Sequence, residues 1–131
     1  MTKKPVILDT NAVIRFIAGD DELAFRKVAD ILINTECHVP VEVLAEVVYN
    51  LRDKYSYPRQ LITDKLKDFI TTKDNITSEI NVVFYGLNLY AATNLDFVDC
   101  LLDGYAKTGD NFVFTFDTAL RKQLAEKAYP G

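Results

Sequence analysis

The sequence contains one histidine, His38, and two cysteines, Cys37 and Cys100. His38 stands beside Val39 in a short apolar stretch, which suits a structural place in a strand rather than a catalytic base. Neither cysteine belongs to a His/Asp constellation or to a metal-ligand spacing, so thiol nucleophilic catalysis and a Cys-based metal site are unsupported. One disulfide is arithmetically open, but without a secretory signal two buried thiols in a reducing compartment are expected. The start, MTKKPVILD, has too brief an apolar run for a signal peptide. The longest mainly apolar segment, VVFYGLNLYAA, is too short and interrupted to span a membrane. A cytoplasmic place follows as the expectation. Repeats, low-complexity tracts and Gly/Ser-rich linkers are missing, so a single domain over residues 1–131 is the default. A basic excess is missing too: net charge is −4 and pI about 4.9. That argues mildly against a nucleic-acid binder, unless acids gathered in one pocket hide a basic rim in the sum.

What is present describes an ordinary globular chain, 49% hydrophobic with 8 Phe and 7 Tyr, long enough for one real core. Strands are predicted at Val6–Leu8, Cys37–Val39, Asn75–Thr77 and Phe112–Phe116. Helices are predicted at Ala12–Ala18, Asp21–Ile33, Val41–Lys54, Pro58–Thr71, Glu79–Asn94, Asp96–Lys107 and Thr118–Lys127. In the second helix Leu23, Val28, Ile31 and Leu32 point inward, and in the third Leu44, Val47, Val48 and Leu51 form the core stripe. Strands alternating with helices imply an α/β fold with a parallel sheet covered on both faces. Ligands bind such sheets beyond the carboxyl ends of the strands.

Two of the predicted strands end in an aspartate: VIL runs into Asp9 and FVFTF into Asp117. Each also precedes a helix, where Asp is a favoured cap. If the two strands are neighbours, their ends lie about 5 Å apart. Two carboxylates there repel by roughly 3 kcal/mol at an effective dielectric of about 20. Such a pair needs a cation, a shared proton or basic partners. In LDFVDCLLDGYA, the stripe of Phe97, Val98, Leu101, Leu102 and Tyr105 puts Asp99 at the border of the buried face. Asp96 and Asp103 fall on the solvent side. On VEVLAEVVYNL, Glu42 and Glu46 both lie off the core stripe, and the helical wheel does not choose between them.

In order, LDTNAVIRFI, VEVLAEVVYNL, DFVDCLLDGYA and FVFTFD resemble the PIN domain, and within it the VapC-type toxins. The resemblance covers nearly the whole chain. It implies a three-layer α/β/α sandwich with a central parallel sheet of about four strands. It places the family's acidic quartet on Asp9, Glu46, Asp99 and Asp117, as catalytic residues and metal ligands. Asn11 and Thr115 match polar positions that would orient a ligand or bound water, and Asp96 matches an often acidic position that would touch a second metal through water. All-carboxylate ligation suits one or two Mg²⁺ or Mn²⁺ ions and is poor for zinc. With no histidine pair for metal-free cleavage, a metal would supply the nucleophilic water. The resemblance thus implies an endoribonuclease leaving a 5′-phosphate and a 3′-hydroxyl. As a toxin it would be a homodimer held in check by an antitoxin protein. Members of the family often end in a further strand, whereas this sequence stops at Ala128-Tyr129-Pro130-Gly131.

Arg15, Arg52, Lys54, Lys107, Arg121 and Lys122 lie near the motifs and are candidates for holding RNA phosphates. Tyr55 and Tyr57 are candidates for stacking on bases. Two phosphotransfer folds also place an aspartate at a strand end. A haloacid-dehalogenase-type loop wants a second Asp where Asn11 stands, and a receiver domain wants a lysine after its last strands where FVFTF leads to Asp117. A structure-specific DNA nuclease would need segments for which the chain lacks room. An inactive PIN-like module binding RNA or a partner, and a free-standing RNA-processing nuclease, are the remaining alternatives.

Overall fold

The branched residues near the start form β1, Val6–Ile7, which pairs in parallel with β2, Cys37–His38. The register sets Val6 opposite Cys37 and Ile7 opposite His38. Leu8 extends the ladder by donating its N–H to the His38 carbonyl at 3.0 Å. A parallel pair requires a crossover, and α1 (Thr10–Ala18) and α2 (Glu22–Asn34) provide it. The structure, a computed structural model, describes residues 4–131. Met1–Lys3, part of the start read as lacking a signal peptide, lie outside the described residues. The chain divides into two compact units, one ending at Ser78 and the other spanning Glu79–Gly131.

In the first unit, Gly19 ends α1 in the left-handed region that favours glycine, at φ 64°. Pro40 and Pro58 precede α3 (Val41–Asp53) and α4 (Arg59–Ile70), where a missing N–H costs nothing. The expected α3 stripe of Leu44, Val47, Val48 and Leu51 is fully buried, as are Val13 of α1 and Ile62 and Leu66 of α4. Phe16 stacks on Phe25 at 5.1 Å and tilts onto Phe69 at 5.8 Å. Of the inward set predicted for α2, Val28 and Leu32 are buried but Leu23 is 81% exposed. Leu23 lies about 140° around the helix from Val28, while Phe25, 36% exposed, stacks on Phe16. The predicted strand at Asn75–Thr77 is not formed. Asn75 adopts φ 62°, which breaks the extended run, and one rung survives as Val39 N–H donating to the Ile76 carbonyl at 2.7 Å.

The second unit is built on α5 (Ile80–Ala92) and α6 (Phe97–Gly109). These helices approach closely through small residues. A Cβ at Gly104 would stand 3.0 Å from the Val82 carbonyl oxygen, and one at Gly86 3.0 Å from Leu101 Cδ2. The buried face of α6 is therefore Phe97, Cys100, Leu101, Asp103, Gly104 and Ala106. This corrects the stripe read from the large residues: Val98 is 41% exposed, and Asp103, expected in solvent, is fully buried. Small residues mark a close helix contact, and a stripe drawn from bulky side chains alone overlooks them.

FVFTF is not a strand. Val113 makes one parallel bridge to Ala128, while Phe112, Phe114 and Phe116 are exposed. Backbone groups of this segment are used elsewhere: Arg121 donates to the Thr115 carbonyl, and Asp117 N–H to Thr115 Oγ1. Without a neighbouring ladder, strand propensity has nothing to act on. The closing helix, expected over Thr118–Lys127, stops as α7 at Thr118–Leu124, where Ala125 turns to φ 54°, and a 3-10 turn follows at Ala125–Lys127. Beyond it, Tyr129 N–H donates to the Val113 carbonyl at 2.8 Å, so the final segment contributes one strand-like rung. The expected sandwich of about four strands is thus represented, among the described residues, by two paired strands and this bridge. The cysteines are free and buried, and no helix of the described residues is long and apolar enough to cross a membrane.

Candidate functional site

Asp9 stands where β1 gives way to α1. Its Oδ1 accepts the Ala12 N–H at 2.9 Å, so one oxygen caps the helix while the exposed carboxylate keeps the other. The cap and the ligand readings are therefore compatible, because a carboxylate has two oxygens. Thr10 opens α1 and donates its hydroxyl to Glu46 Oε2 at 3.0 Å. This bond joins the first turn of α1 to the middle of α3 and puts the Glu46 carboxylate beside the residue next to Asp9. Glu42, one turn earlier on α3, is exposed, and Asn11 is also exposed. Thr10 was not singled out in the sequence. A hydroxyl after a capping Asp is an ordinary helix-start residue, and only tertiary packing reveals its partner.

In the second unit, Asp117 caps α7 by accepting the Leu120 N–H at 2.8 Å. Thr115 takes part in the same turn, its Oγ1 accepting from Asp117 N–H at 3.0 Å. Asp99 lies in the first turn of α6 and is half-buried. Its carboxyl is raised above the ordinary carboxylate range, chiefly by burial and further by the negative charges of Asp117 and Asp96. Asp96, exposed at the start of α6, and Asp117 are thus both close enough to Asp99 to act on its charge. That is the electrostatic state a divalent cation relieves. Among the described residues, no three His, Cys, Asp or Glu side chains are gathered tightly enough to hold a metal as they stand. The donor set itself is carboxylate oxygen throughout, which fits Mg²⁺ or Mn²⁺.

The basic candidates differ in their partners. Lys107 and Arg121 have structural duties: Lys107 reaches Asp103 at 3.0 Å and the Gln123 carbonyl at 3.1 Å, and Arg121 reaches the Thr115 carbonyl at 3.0 Å. Arg52 pairs with Asp53 at 2.7 and 3.0 Å, and its guanidinium lies 5.0 Å from the Tyr49 ring centre. Arg15 sits 3.7 Å from Asp20. Lys54, the C-cap of α3, and Lys122 are exposed. Tyr55 and Tyr57 meet edge to face at 5.9 Å.

A family model described as the PIN domain matches residues 6–124. That span includes β1, all seven helices and each of the four acids Asp9, Glu46, Asp99 and Asp117. No curated protein and no solved structure matches the chain.

Proposed function

The chain belongs to the PIN domain family, a nuclease-type fold, and from that premise we propose that it is a metal-dependent endoribonuclease of the VapC-type toxin group. The observation that carries the reading is the family match over residues 6–124 together with acids at both helix-capping exits, Asp9 and Asp117. Asp9, Glu46, Asp99 and Asp117 are the ligands of Mg²⁺ or Mn²⁺ in this reading. When bound, such an ion supplies an activated water and neutralises charge on the scissile phosphate. Asp9 and Asp117 are fixed by their capping bonds, which limits the freedom each carboxylate must lose on binding a cation. Thr10 holds Glu46 by one oxygen and aims the other. Burial and the charges of Asp117 and Asp96 raise the Asp99 pKa, a cost that a bound cation would offset. Asn11, Thr115 and Asp96 orient these groups or their water. A homodimer, an antitoxin partner and a cytoplasmic place complete the proposal.

The alternative reading is an inactive PIN-like module that binds RNA or a protein without cutting it. A free-standing RNA-processing nuclease would share the first reading's residues. The test is cleavage of total cellular RNA by the wild type and by Asp99→Asn, each with Mn²⁺ and with EDTA. Discrete fragments from the wild type with Mn²⁺ alone support the nuclease. Intact RNA in every lane, with no Mn²⁺-induced rise in melting temperature, supports the inactive module.

A further inference from the structure

In the first unit, α1 and α3 are pinned together at two points. Near the start of α1, Thr10 bonds Glu46. Past its end, Asp20 Oδ2 accepts the Tyr55 hydroxyl at 3.2 Å, just beyond the end of α3. The two helices therefore run side by side in the same direction. Their seam leads from Glu46 towards an aromatic pair, over roughly 10 Å for the seven helical steps from Glu46 to Asp53.

The aromatic end is shaped by an uncommon backbone. Ser56 adopts φ 56°, a region that few non-glycine residues occupy. The turn it makes sets Tyr55 and Tyr57 edge to face, with ring centres 5.9 Å apart and planes 68° apart, both half-buried. An outlier of this kind is one that surrounding contacts must hold, and such outliers concentrate at binding sites. Arg15 stands near this end of the path, close enough for its charge to act on Tyr55. Arg15 lies 3.7 Å from Asp20, too long for a hydrogen bond and in an exposed pair, so a phosphate competes with that carboxylate on good terms. The Arg52 guanidinium, bonded to Asp53, lies 5.0 Å from the Tyr49 ring centre.

We propose that the α1–α3 seam is a track for single-stranded RNA, with the Tyr55–Tyr57 pair as a base-stacking subsite at a fixed distance from Glu46 and with Arg15 as a phosphate contact. The inference rests on the nuclease reading for its choice of RNA, but the contacts it names bind without a metal. Asp20 anchors the Tyr55 hydroxyl, so the pair is rigid before a base arrives. Duplex RNA keeps its bases stacked on one another and offers no face to the tyrosines.

Binding is measured in EDTA, where metal-dependent cleavage is shut off. The chain has no tryptophan and seven tyrosines, so tyrosine emission follows binding and the Tyr57 variants identify that ring's share of the signal. The probes are ten-nucleotide single-stranded RNAs of A or U and an RNA duplex of the same length. Single strands are expected to quench the emission and to bind more tightly than duplex. Tyr57→Ala is expected to weaken single-strand binding by about 5- to 150-fold, the range for loss of one stacked base, and Tyr57→Phe to restore it. Arg15→Gln, an exposed change, is expected to lower the slope of log affinity against log salt by about 0.7. Circular dichroism checks the fold of each variant. Equal binding of duplex, or unchanged affinity in both Tyr57→Ala and Arg15→Gln, overturns the subsite. Cleavage with Mn²⁺ that is indifferent to Tyr57 also overturns it while leaving the nuclease reading intact. Tyr57-dependent binding without any Mn²⁺-dependent cleavage supports the subsite and ends the nuclease reading.

Discussion

Thr10 and Glu46, thirty-six residues apart, are joined by a 3.0 Å hydrogen bond from the threonine hydroxyl to the glutamate carboxylate. A hydroxyl in that place aims one carboxylate oxygen by occupying the other. Removing it leaves Glu46 its charge but not its orientation. Thr10→Val, which keeps the shape, is expected to reduce Mn²⁺-dependent kcat/KM by about 10- to 100-fold, the range for loss of a ligand-orienting partner. Thr10→Ser is expected to recover most of the loss. RNA cleavage kinetics with both variants make the check, and Mn²⁺ affinity by calorimetry should fall in parallel.

Asp99 carries an electrostatic cost in the metal-free protein. Its folded-state pKa is raised above the unfolded value by burial and by Asp117 and Asp96. The folded state therefore holds the proton more tightly, and stability falls as pH rises through the folded pKa. Above that pKa the cost is fully present, and near the ordinary carboxylate pKa it vanishes. Asp99→Asn is accordingly expected to melt a few degrees above the wild type at pH 7, with the gap closing towards pH 4, while cleavage is lost. Melting curves across that pH range decide the point. Mn²⁺ should raise the melting temperature of the wild type and not that of the variant.

Asp103 is the anchor of the second unit. It accepts from Tyr85 at 2.6 Å, Lys107 at 3.0 Å and Gln123 at 3.1 Å, so α5, α6 and α7 converge on one buried carboxylate. Asp103→Ala strands all three donors. About 3 kcal/mol of stability should be lost, at the low end for a broken buried pair because Lys107 keeps partial access to water. Urea unfolding measures it.

Tyr85 reports on the same contact. Burial and the bond to Asp103 push its pKa from 10.0 up to about 12. The stability linked to this tyrosine is present below pH 10 and is lost as pH rises through its folded pKa. Absorbance of tyrosinate during alkaline titration should show one ring ionising late, and Asp103→Asn should bring it down.

The close approach of α5 and α6 separates two glycines. At Gly104 a Cβ meets the Val82 backbone oxygen, which moves only with its helix, so Gly104→Ala should destabilise by about 1–3 kcal/mol. At Gly86 the obstacle is the tip of Leu101, and a gain of about 1 kcal/mol in helix propensity offsets the crowding. Gly86→Ala should be nearly neutral. Thermal unfolding of the two variants side by side is the measurement.

Much of this molecule is legible in its sequence for local reasons. Helical periodicity in VEVLAEVVYNL sets the buried stripe of α3, and the prolines at 40 and 58 mark two helix starts, because both signals act within a few residues. Asp9 and Asp117 were legible as caps for the same reason. Tertiary packing decided the rest. The pattern FVFTF has strand propensity, yet it makes a single bridge, since a strand exists only where another backbone pairs with it. Asp103 reads as a solvent-side acid until Tyr85 and Gln123 arrive from other helices to bury it. The partnership of Thr10 with Glu46 belongs to this class as well. Periodicity and capping are properties of one segment, whereas a hydrogen bond across 36 residues depends on how separate segments pack.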